Sequence, residues 1–326
     1  MCKNKITPLL SILIPTYNGA SKYITDVLDC LVRGVSLCDK NEIEIIVSNN
    51  ASSDNTESIL SEYEKYPFFK HYYNEENLGS AKNIILLTDT YATGLYGWVL
   101  GDDDLIDPLS IPFILETIKL TDVDYLSLGF NFIQDKSEVS SNQYLKDDVV
   151  LMSYAATLEK GGSGNMLGTF MSSAIFKVSL FRSIKKDIIT SSFDTYQSIF
   201  PNGYINATAF FDKKCAYISK HIVFPIVHRK DWATSENNYM ICSKIIPEIY
   251  DYIISLGVEE KELIDSYNLI LYKAIKCGFS RIKRGGEVDK NFNSIIVKSI
   301  LHPSVWNKLL IALVQRGKRN RITNSK

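Results

Sequence analysis

The strongest constraint on the fold is a repeating order in the first hundred residues. Leu9-Leu10-Ser11-Ile12-Leu13-Ile14 is a continuous apolar run of strand length. Such a run suits a parallel strand covered on both faces, since a half-exposed strand would alternate. Pro15-Thr16-Tyr17-Asn18-Gly19 ends it with turn residues. Over residues 21–36 the apolar positions Ile24, Val27, Leu28, Leu31 and Val35 fall at helical spacing. A second strand is predicted at Ile43–Ser48, followed by the polar turn Asn49-Asn50-Ala51-Ser52-Ser53-Asp54. Asp54 with Glu57 three residues on has the form of a capping box, opening a helix to about Tyr63. Phe68–Tyr73 reads as a third strand, Asn77–Asn83 as the start of a helix reaching about Tyr91, and Gly97–Leu100 as a fourth strand. Strand and helix in alternation argue for a parallel sheet with crossover helices. No G-x-G-x-x-G follows the first strand and no G-x-x-x-x-G-K-[ST] occurs, so dinucleotide-cofactor and P-loop readings lack their motifs.

The fourth strand runs into Gly101-Asp102-Asp103-Asp104. Three adjacent carboxylates repel one another. A hard divalent cation with oxygen ligands, shared with a substrate's phosphates, relieves that repulsion. The alternative is a solvated acidic turn. The position at the C-terminal end of a strand favours the metal, because open α/β sheets bind ligands there. Asp107-Pro108 reads as N-cap and first residue of the next helix.

Beyond the cluster, Ile111–Lys119 is helical in spacing and Tyr125–Phe132 reads as a fifth strand. Gln134–Lys146 is polar, a loop or hairpin. Gly161-Gly162-Ser163-Gly164 suits a mobile loop, either a linker or a lid. Ser173–Phe176 and Ala216–Pro225 look like strands, Ile245 to about Lys276 is helical in spacing, and a last helix spans roughly Ser304–Gln315. The expected organisation is residues 1–235 as one α/β domain and 236–326 as a helical C-terminal region. Cys2, Cys30, Cys38, Cys215, Cys242 and Cys277 include no C-x-x-C pair, which points away from zinc and towards free thiols in a reducing cytosol. Lys3 and Lys5 precede only a short apolar run and no small-x-small site follows it, so a first strand is expected there and not a signal peptide. No stretch approaches 18 apolar residues.

Four segments resemble the nucleotide-sugar-dependent glycosyltransferases of family 2. "SILIPTYNGASKYITDVLDCL" is similar to the family's opening strand, P-T-Y-N turn and first helix. "EIIVSNNASSDNT" resembles its strand and S-x-D-x-T turn, "NLGSAKN" its N-x-G-x-x-x-N helix start, and "WVLGDDDLIDP" its metal-binding D-x-D region. They stand in family order over about residues 9–110. The combination resembles bacterial O-antigen and surface-polysaccharide transferases, including an abequosyltransferase-like group. The resemblance implies the GT-A fold: a Rossmann-like, mostly parallel central sheet flanked by helices, here with a helical C-terminal extension. It also implies an inverting, metal-dependent transfer from a nucleotide-diphosphate sugar to a saccharide acceptor, lipid-linked in O-antigen or capsule synthesis.

Carried onto this chain, the resemblance places the base and ribose near Pro15, Thr16, Tyr17 and Asn18. Asn49 stands where the family commonly has an Asp that accepts from uracil N3–H. An amide accepts from uracil or donates to cytosine N3, which opens a CDP as well as a UDP donor. An Asx-turn is the structural alternative for Asn49. Lys82 is a diphosphate contact or an exposed helix lysine. Asp102, Asp103 and Asp104 would hold Mg²⁺ or Mn²⁺ against the diphosphate, with Asp102 and Asp103 also named for the donor. The family pattern fits the triplet in two registers, one using Asp102 and Asp104, the other Asp103 and Asp104. Arg229, in His228-Arg229-Lys230, resembles the family's basic residue near the diphosphate. The general base has no clear family motif here. Asp194, preceding an expected helix, is the choice, with Asp212 and Asp231 as alternatives.

Net charge is −1, but residues Lys273–Lys326 carry 13 basic and 2 acidic side chains, leaving 23 and 35 in the rest. With Trp306 and its neighbouring leucines, this basic end suits an anionic membrane surface. A helix packed on the body with a basic tail is the alternative. No aromatic interleaving supports nucleic acid as a partner. These features set the expectation of a cytoplasmic enzyme peripheral to the inner face of the membrane. The competing functions are nucleotidyl transfer to a sugar phosphate and a non-catalytic nucleotide-sugar binder.

Overall fold

The structure is a computed structural model that describes residues 7–189, 195–227, 239–288, 290–300 and 302–309. The predicted alternation forms. β1 (Leu10–Thr16), β2 (Ile43–Asn49), β3 (Phe69–Tyr73) and β4 (Tyr96–Val99) are linked by α1 (Ile24–Val35), α2 (Thr56–Ser61) and α3 (Ser80–Leu86). β1 pairs in parallel with β2 and with β4, and β2 in parallel with β3. Every residue of β2 is buried and only Pro15 of β1 is partly exposed, as the unbroken apolar runs require. The second half of the sheet is mixed. β5 (Asp104–Ile106), β6 (Tyr125–Phe130), β7 (Val149–Met152), β8 (Ala174–Lys177) and β9 (Cys215–Pro225) complete it. The order among the described residues is β3-β2-β1-β4-β8-β6-β9-β5, with β7 on β9. β8 runs antiparallel between β4 and β6, so those two strands point the same way.

α4 (Ser110–Thr121), α5 (Tyr154–Asn165), α6 (Val178–Ser183), α7 (Tyr196–Ile199) and α8 (Pro201–Phe210) follow in chain order. One core cluster joins Ile12, Val27, Leu31, Ile45, Trp98, Ile114, Leu126 and Phe224, all essentially inaccessible. Several local expectations are corrected. Asp107 does not cap the next helix, which starts at Ser110. Its fully buried carboxylate instead accepts from Leu109 N–H, Asn142 N–H and the Tyr144 hydroxyl. Asp54 and Glu57 form no capping box. Asp54 accepts from Thr56 N–H and Ser21 N–H, while Glu57 turns to Asn49 and His71. Gly161-Gly162-Ser163-Gly164 is no loop, because α5 continues through it, anchored at its start by buried Tyr154 and Leu158. The short strands β5 and β7 carry too little pattern to be foreseen.

The chain divides into two compact units, Met1–Gly161 with Gly168–His228, and Gly162–Leu167 with Arg229–Lys326. The second is helical in its described part. α9 (Ile246–Ser255) and α10 (Ile264–Lys283) are separated at Gly257, whose φ of 101° no L side chain adopts easily, so the long helical spacing breaks there. α11 (Lys290–Ile300) packs on α10, where Gly278 lets the Phe292 ring come within 2.0 Å of a would-be Cβ. Residues 303–309 are helical; the remainder of the expected last helix and the basic end lie outside the described residues. Among the described residues, Cys30, Cys38, Cys215, Cys242 and Cys277 are free thiols, and no helix is long and apolar enough to cross a membrane.

Candidate active site

Because β1, β2 and β4 are parallel, their C-terminal ends share one edge of the sheet. Thr16 lies opposite Asn49 in the β1–β2 register, and Leu100 N–H donates to Leu13 carbonyl as the chain enters the acid cluster. The turns after β1 and β2 are stitched together. Asn18 N–H donates to Ser52 Oγ, Ser53 N–H to Asn18 Oδ1, and Ala20 N–H to Thr56 Oγ1, all within 2.9–3.0 Å. Asn18 and Ala51 sit at φ 53° and 60°. Asn tolerates that left-handed region; Ala rarely adopts it, and such strain gathers at functional edges.

The three acidic residues are treated differently by their surroundings. Asp102 is held by Thr16, whose hydroxyl donates to Oδ2 at 2.6 Å, and by Lys22, whose ammonium lies 3.2 and 3.3 Å from its two oxygens. One of the three charges is thereby compensated within the protein. Asp104 is buried, and among the described residues no Lys or Arg pairs with it as Lys22 does with Asp102. Asp104 Oδ2 accepts from the Ser172 hydroxyl at 2.5 Å, and that hydroxyl accepts from Gly101 N–H at 2.9 Å. The Ser172 carbonyl accepts from Trp98 Nε1–H at 2.8 Å. Burial, then the charges of Asp103 and Asp102, push the Asp104 carboxyl up to about 7, against the pull of the Ser172 and Gly101 hydrogen bonds.

Gly101, having no side chain, lets the carboxylates of Asp104 and Asp103 close in on the backbone. A Cβ there would lie 2.5 Å from Asp104 Oδ2 and 3.3 Å from Asp103 Oδ1. Two carboxylates drawn together over one glycine, one of them buried, are hard oxygen donors of the kind a divalent cation takes. Among the described residues no three His, Cys, Asp or Glu side chains converge as a complete ligand set. Any ion held here would take its remaining ligands from water and phosphate oxygens, as Mg²⁺ commonly does.

The expected site residues separate into three groups. Pro15, Thr16, Tyr17, Asn18, Asn49 and Asp102–Asp104 lie on the one edge. Tyr17 is 44% exposed at its rim. Asn49 is fully buried, its Nδ2 donating to Glu57 Oε2 at 2.7 Å and its Oδ1 accepting from Ser52 N–H at 3.0 Å. It pins the turn and does not lie open to a nucleotide. Lys82 is exposed in the first turn of α3. Its motif neighbours are structural: Asn77 accepts from Asn50 Nδ2–H and Gly79 N–H, and Asn83 Oδ1 accepts from the Ser48 hydroxyl. Asp212 belongs elsewhere. It follows α8 and precedes β9, at the end of the sheet where β6 begins, and is exposed beside Lys213. That end is opposite the acid cluster, which removes it as a base. Asp194, His228, Arg229, Lys230 and Asp231 lie outside the described residues. Sequence reasoning missed Lys22 and Ser172. Lys22 is inside the first family-like segment, but nothing in its spacing marks an ion pair 80 residues away. Ser172 carries no sequence signal.

Residues 11–185 match the family described as glycosyl transferase family 2, more than half of the chain, and the chain belongs to that family. It is 35% identical over 151 residues to an uncharacterized glycosyltransferase of Rickettsia typhi, covering 45% of this chain and 44% of that protein. It is 35% identical over 107 residues to abequosyltransferase RfbV of Salmonella typhimurium, covering 32% of this chain and 31% of that protein. The chain thus matches less than half the length of these curated relatives. The crystal structure of S. aureus TarS 1-349 superimposes with a TM-score of 0.58 at 18% identity, covering 89% of this chain and 78% of that one. The same protein in complex with UDP-GlcNAc gives 0.54 at 17% identity, covering 82% and 81%. Mannosyltransferase PcManGT from Pyrobaculum calidifontis, in complex with GDP-Man and Mn²⁺, gives 0.52 at 13% identity, covering 96% and 87%. These neighbours establish the GT-A fold.

Proposed function

We propose that this chain is an inverting, metal-dependent glycosyltransferase. It moves a sugar from a UDP- or CDP-type donor to a saccharide acceptor, lipid-linked, in bacterial O-antigen or capsule synthesis. The observation that carries the reading is the pair of carboxylates, Asp103 and Asp104, drawn together over Gly101 at the C-terminal edge of the parallel strands, beside Asp102 paired with Lys22. The solved neighbours with UDP-GlcNAc and with GDP-Man and Mn²⁺ support a nucleotide-sugar donor and a divalent ion. The similarity to abequosyltransferase RfbV supports transfer of a sugar.

Asp103 and Asp104 would hold Mg²⁺ or Mn²⁺. When bound, that ion supplies positive charge to the leaving nucleotide diphosphate. Everything else falls to the chain itself. Lys22 holds Asp102 in place, so the edge presents a fixed acceptor for the donor's hydroxyl groups. Thr16 fixes the same carboxylate from β1. Tyr17 offers an exposed aromatic face for the base, and Lys82 a cation for the diphosphate. By the family resemblance, Asp194 takes the proton of the acceptor hydroxyl as it attacks, and Arg229 pairs with the diphosphate. The basic end of the chain would bring the enzyme to an anionic membrane surface carrying the acceptor, on the cytoplasmic side.

Calorimetry with UDP, CDP, GDP and dTDP, with and without Mn²⁺, tests the donor site. Metal-dependent binding of UDP or CDP is expected. Asp104→Asn and Asp103→Asn should each lower hydrolysis of the matched nucleotide sugar by about 10²–10³-fold. Nucleotide binding that ignores both the metal and these substitutions would sink the reading.

A further inference from the structure

The last residues of β6 carry the chain past the core onto the same edge as the acid cluster. Asn131 N–H donates to Val223 carbonyl and Ile133 N–H to Pro225 carbonyl, both at 3.0 Å, so the segment stays extended along β9. On the other side of β9, Asp104 is the register partner of Pro225. The backbone at Phe132 is therefore two strand spacings from Asp104, on the order of 10 Å.

Three aromatic rings gather there. Phe130 and Phe170 have centroids 4.9 Å apart, Phe130 and Phe132 5.6 Å, and Phe132 and Phe170 6.2 Å. Ile133, on the opposite face of the segment, is buried, while Phe132 is 49% exposed. Phe170 and Phe130 are half-buried beneath it. The cluster is tied to the chemistry by a short piece of chain. Phe170 stands two residues before Ser172, which bonds both Asp104 and Gly101 N–H. A large exposed ring supported by two others, beside a site and not scattered alone, marks a binding surface.

We infer that Phe132, backed by Phe130 and Phe170, is the stacking platform for the saccharide acceptor. This rests on the reading of the acid cluster as the donor site. A pyranose presents one face of ring C–H bonds, apolar and slightly positive, which suits the negative face of an aromatic ring. The separation from Asp104 leaves room for the donor sugar between the platform and the diphosphate. Phe132 is a specificity residue, acting on acceptor affinity and leaving donor binding alone.

The test uses the full chain and methyl glycosides of glucose, galactose, mannose, rhamnose and N-acetylglucosamine as probes. Saturation-transfer NMR, irradiating protein aromatic protons, reads contact with ring C–H protons. At least one glycoside is expected to respond. Phe132→Ala should weaken that response roughly three- to tenfold, and Phe132→Trp should retain it. Calorimetric binding of UDP and CDP should be unchanged in both variants. A response that Phe132→Ala leaves intact, or none from any probe, overturns the platform while nucleotide binding stands. Loss of nucleotide binding in Phe132→Ala also overturns it, by showing a structural role. Absence of nucleotide binding in the unaltered protein instead overturns the donor-site reading, and the platform's role falls with it.

Discussion

The two halves of the sheet are built by different rules. β3-β2-β1-β4 is a run of parallel strands, and β1, β2 and β3 are each followed within the chain by a helix, α1, α2 and α3. β8-β6-β9-β5 is mixed and is closed by pairings between distant segments, such as Asp104–Ile106 against Val223–Pro225. The first half carries nearly all the recognisable motifs; the second carries almost none. Yet the acid loop needs both. Asp102 is fixed from the first half by Thr16 and Lys22, and Asp104 from the second by Ser172. The parallel half sets where a diphosphate can sit, and the mixed half sets how the carboxylates meet it.

Among substitutions that keep all three acids, the largest effect should come from Gly101→Ala, whose methyl crowds Asp104 and Asp103. The methyl would lie 2.5 Å from Asp104 Oδ2, so that carboxylate must swing away. Displacements of this size cost on the order of 10²-fold in rate. Donor hydrolysis with Mn²⁺, alongside a thermal melt showing the variant folded, reads it directly. Unchanged turnover would show that the space above Gly101 has no part in the chemistry. Ser172→Ala tests the contribution of the mixed half. It removes the hydroxyl shared by Gly101 N–H and Asp104, while the backbone carbonyl still holds the Trp98 indole. A loss of roughly 10–100-fold is expected, as for partners that orient a metal ligand. An effect as small as a surface substitution would mean that Asp104 is positioned by β5 alone.

The same contrast explains what could be read from the sequence. Leu10–Thr16 and Ile43–Asn49 are buried on both faces, and buried parallel strands appear as unbroken apolar runs. Their crossover helices are amphipathic, so the period changes visibly from one element to the next. The acid cluster was legible because three adjacent charges at a strand end have few structural uses. Three-residue β5 has no period to detect. Ser172 and Phe132 lie in segments of ordinary composition, and only pairing across β9 and β8 brings them to the site. Asn49 misled for a physical reason: an amide at the end of a strand serves equally as a ligand contact or a turn brace, and here Ser52 and Glu57 occupy it.

Glu44 gauges the parallel half as a frame, apart from catalysis. It is buried near the start of β2, at the edge away from the acid loop. It accepts from the Ser11 hydroxyl and from Thr93 N–H and hydroxyl, with Lys70 at 3.2 Å. Burial alone would raise its carboxyl, but these four partners outweigh burial and hold it below the ordinary glutamate value. Between the folded and ordinary values the unfolded chain binds more protons. The stabilisation is thus complete above the ordinary glutamate value and is lost as pH falls through the folded one. Glu44→Gln should cost about 1–3 kcal/mol near neutral pH and flatten the acid limb of a urea-unfolding series. Donor hydrolysis per folded molecule should not change. A rate loss without a stability loss would mean that this far edge takes part in catalysis after all.

The smallest expected effect, and the sharpest test of the turn, is Asn49→Asp. The substitution restores the residue type that the family commonly carries, but it exchanges a donor for an acceptor 2.7 Å from Glu57 Oε2. Two carboxylates now face each other at a buried position. Glu57 is 45% exposed and can turn to solvent, which caps the penalty but takes an acceptor away from His71 Nε2, bonded to it at 2.9 Å. A cost of about 1 kcal/mol is expected by urea unfolding. Asn49→Asp with Glu57→Gln should recover most of it, because the glutamine amide donates back to the new carboxylate and the coupling appears in a double-mutant cycle. Preference among UDP, CDP, GDP and dTDP should stay the same in the single variant, since the side chain is enclosed. A change in that preference at unchanged stability would instead put Asn49 in contact with the base and make the turn part of the specificity machinery of the parallel half.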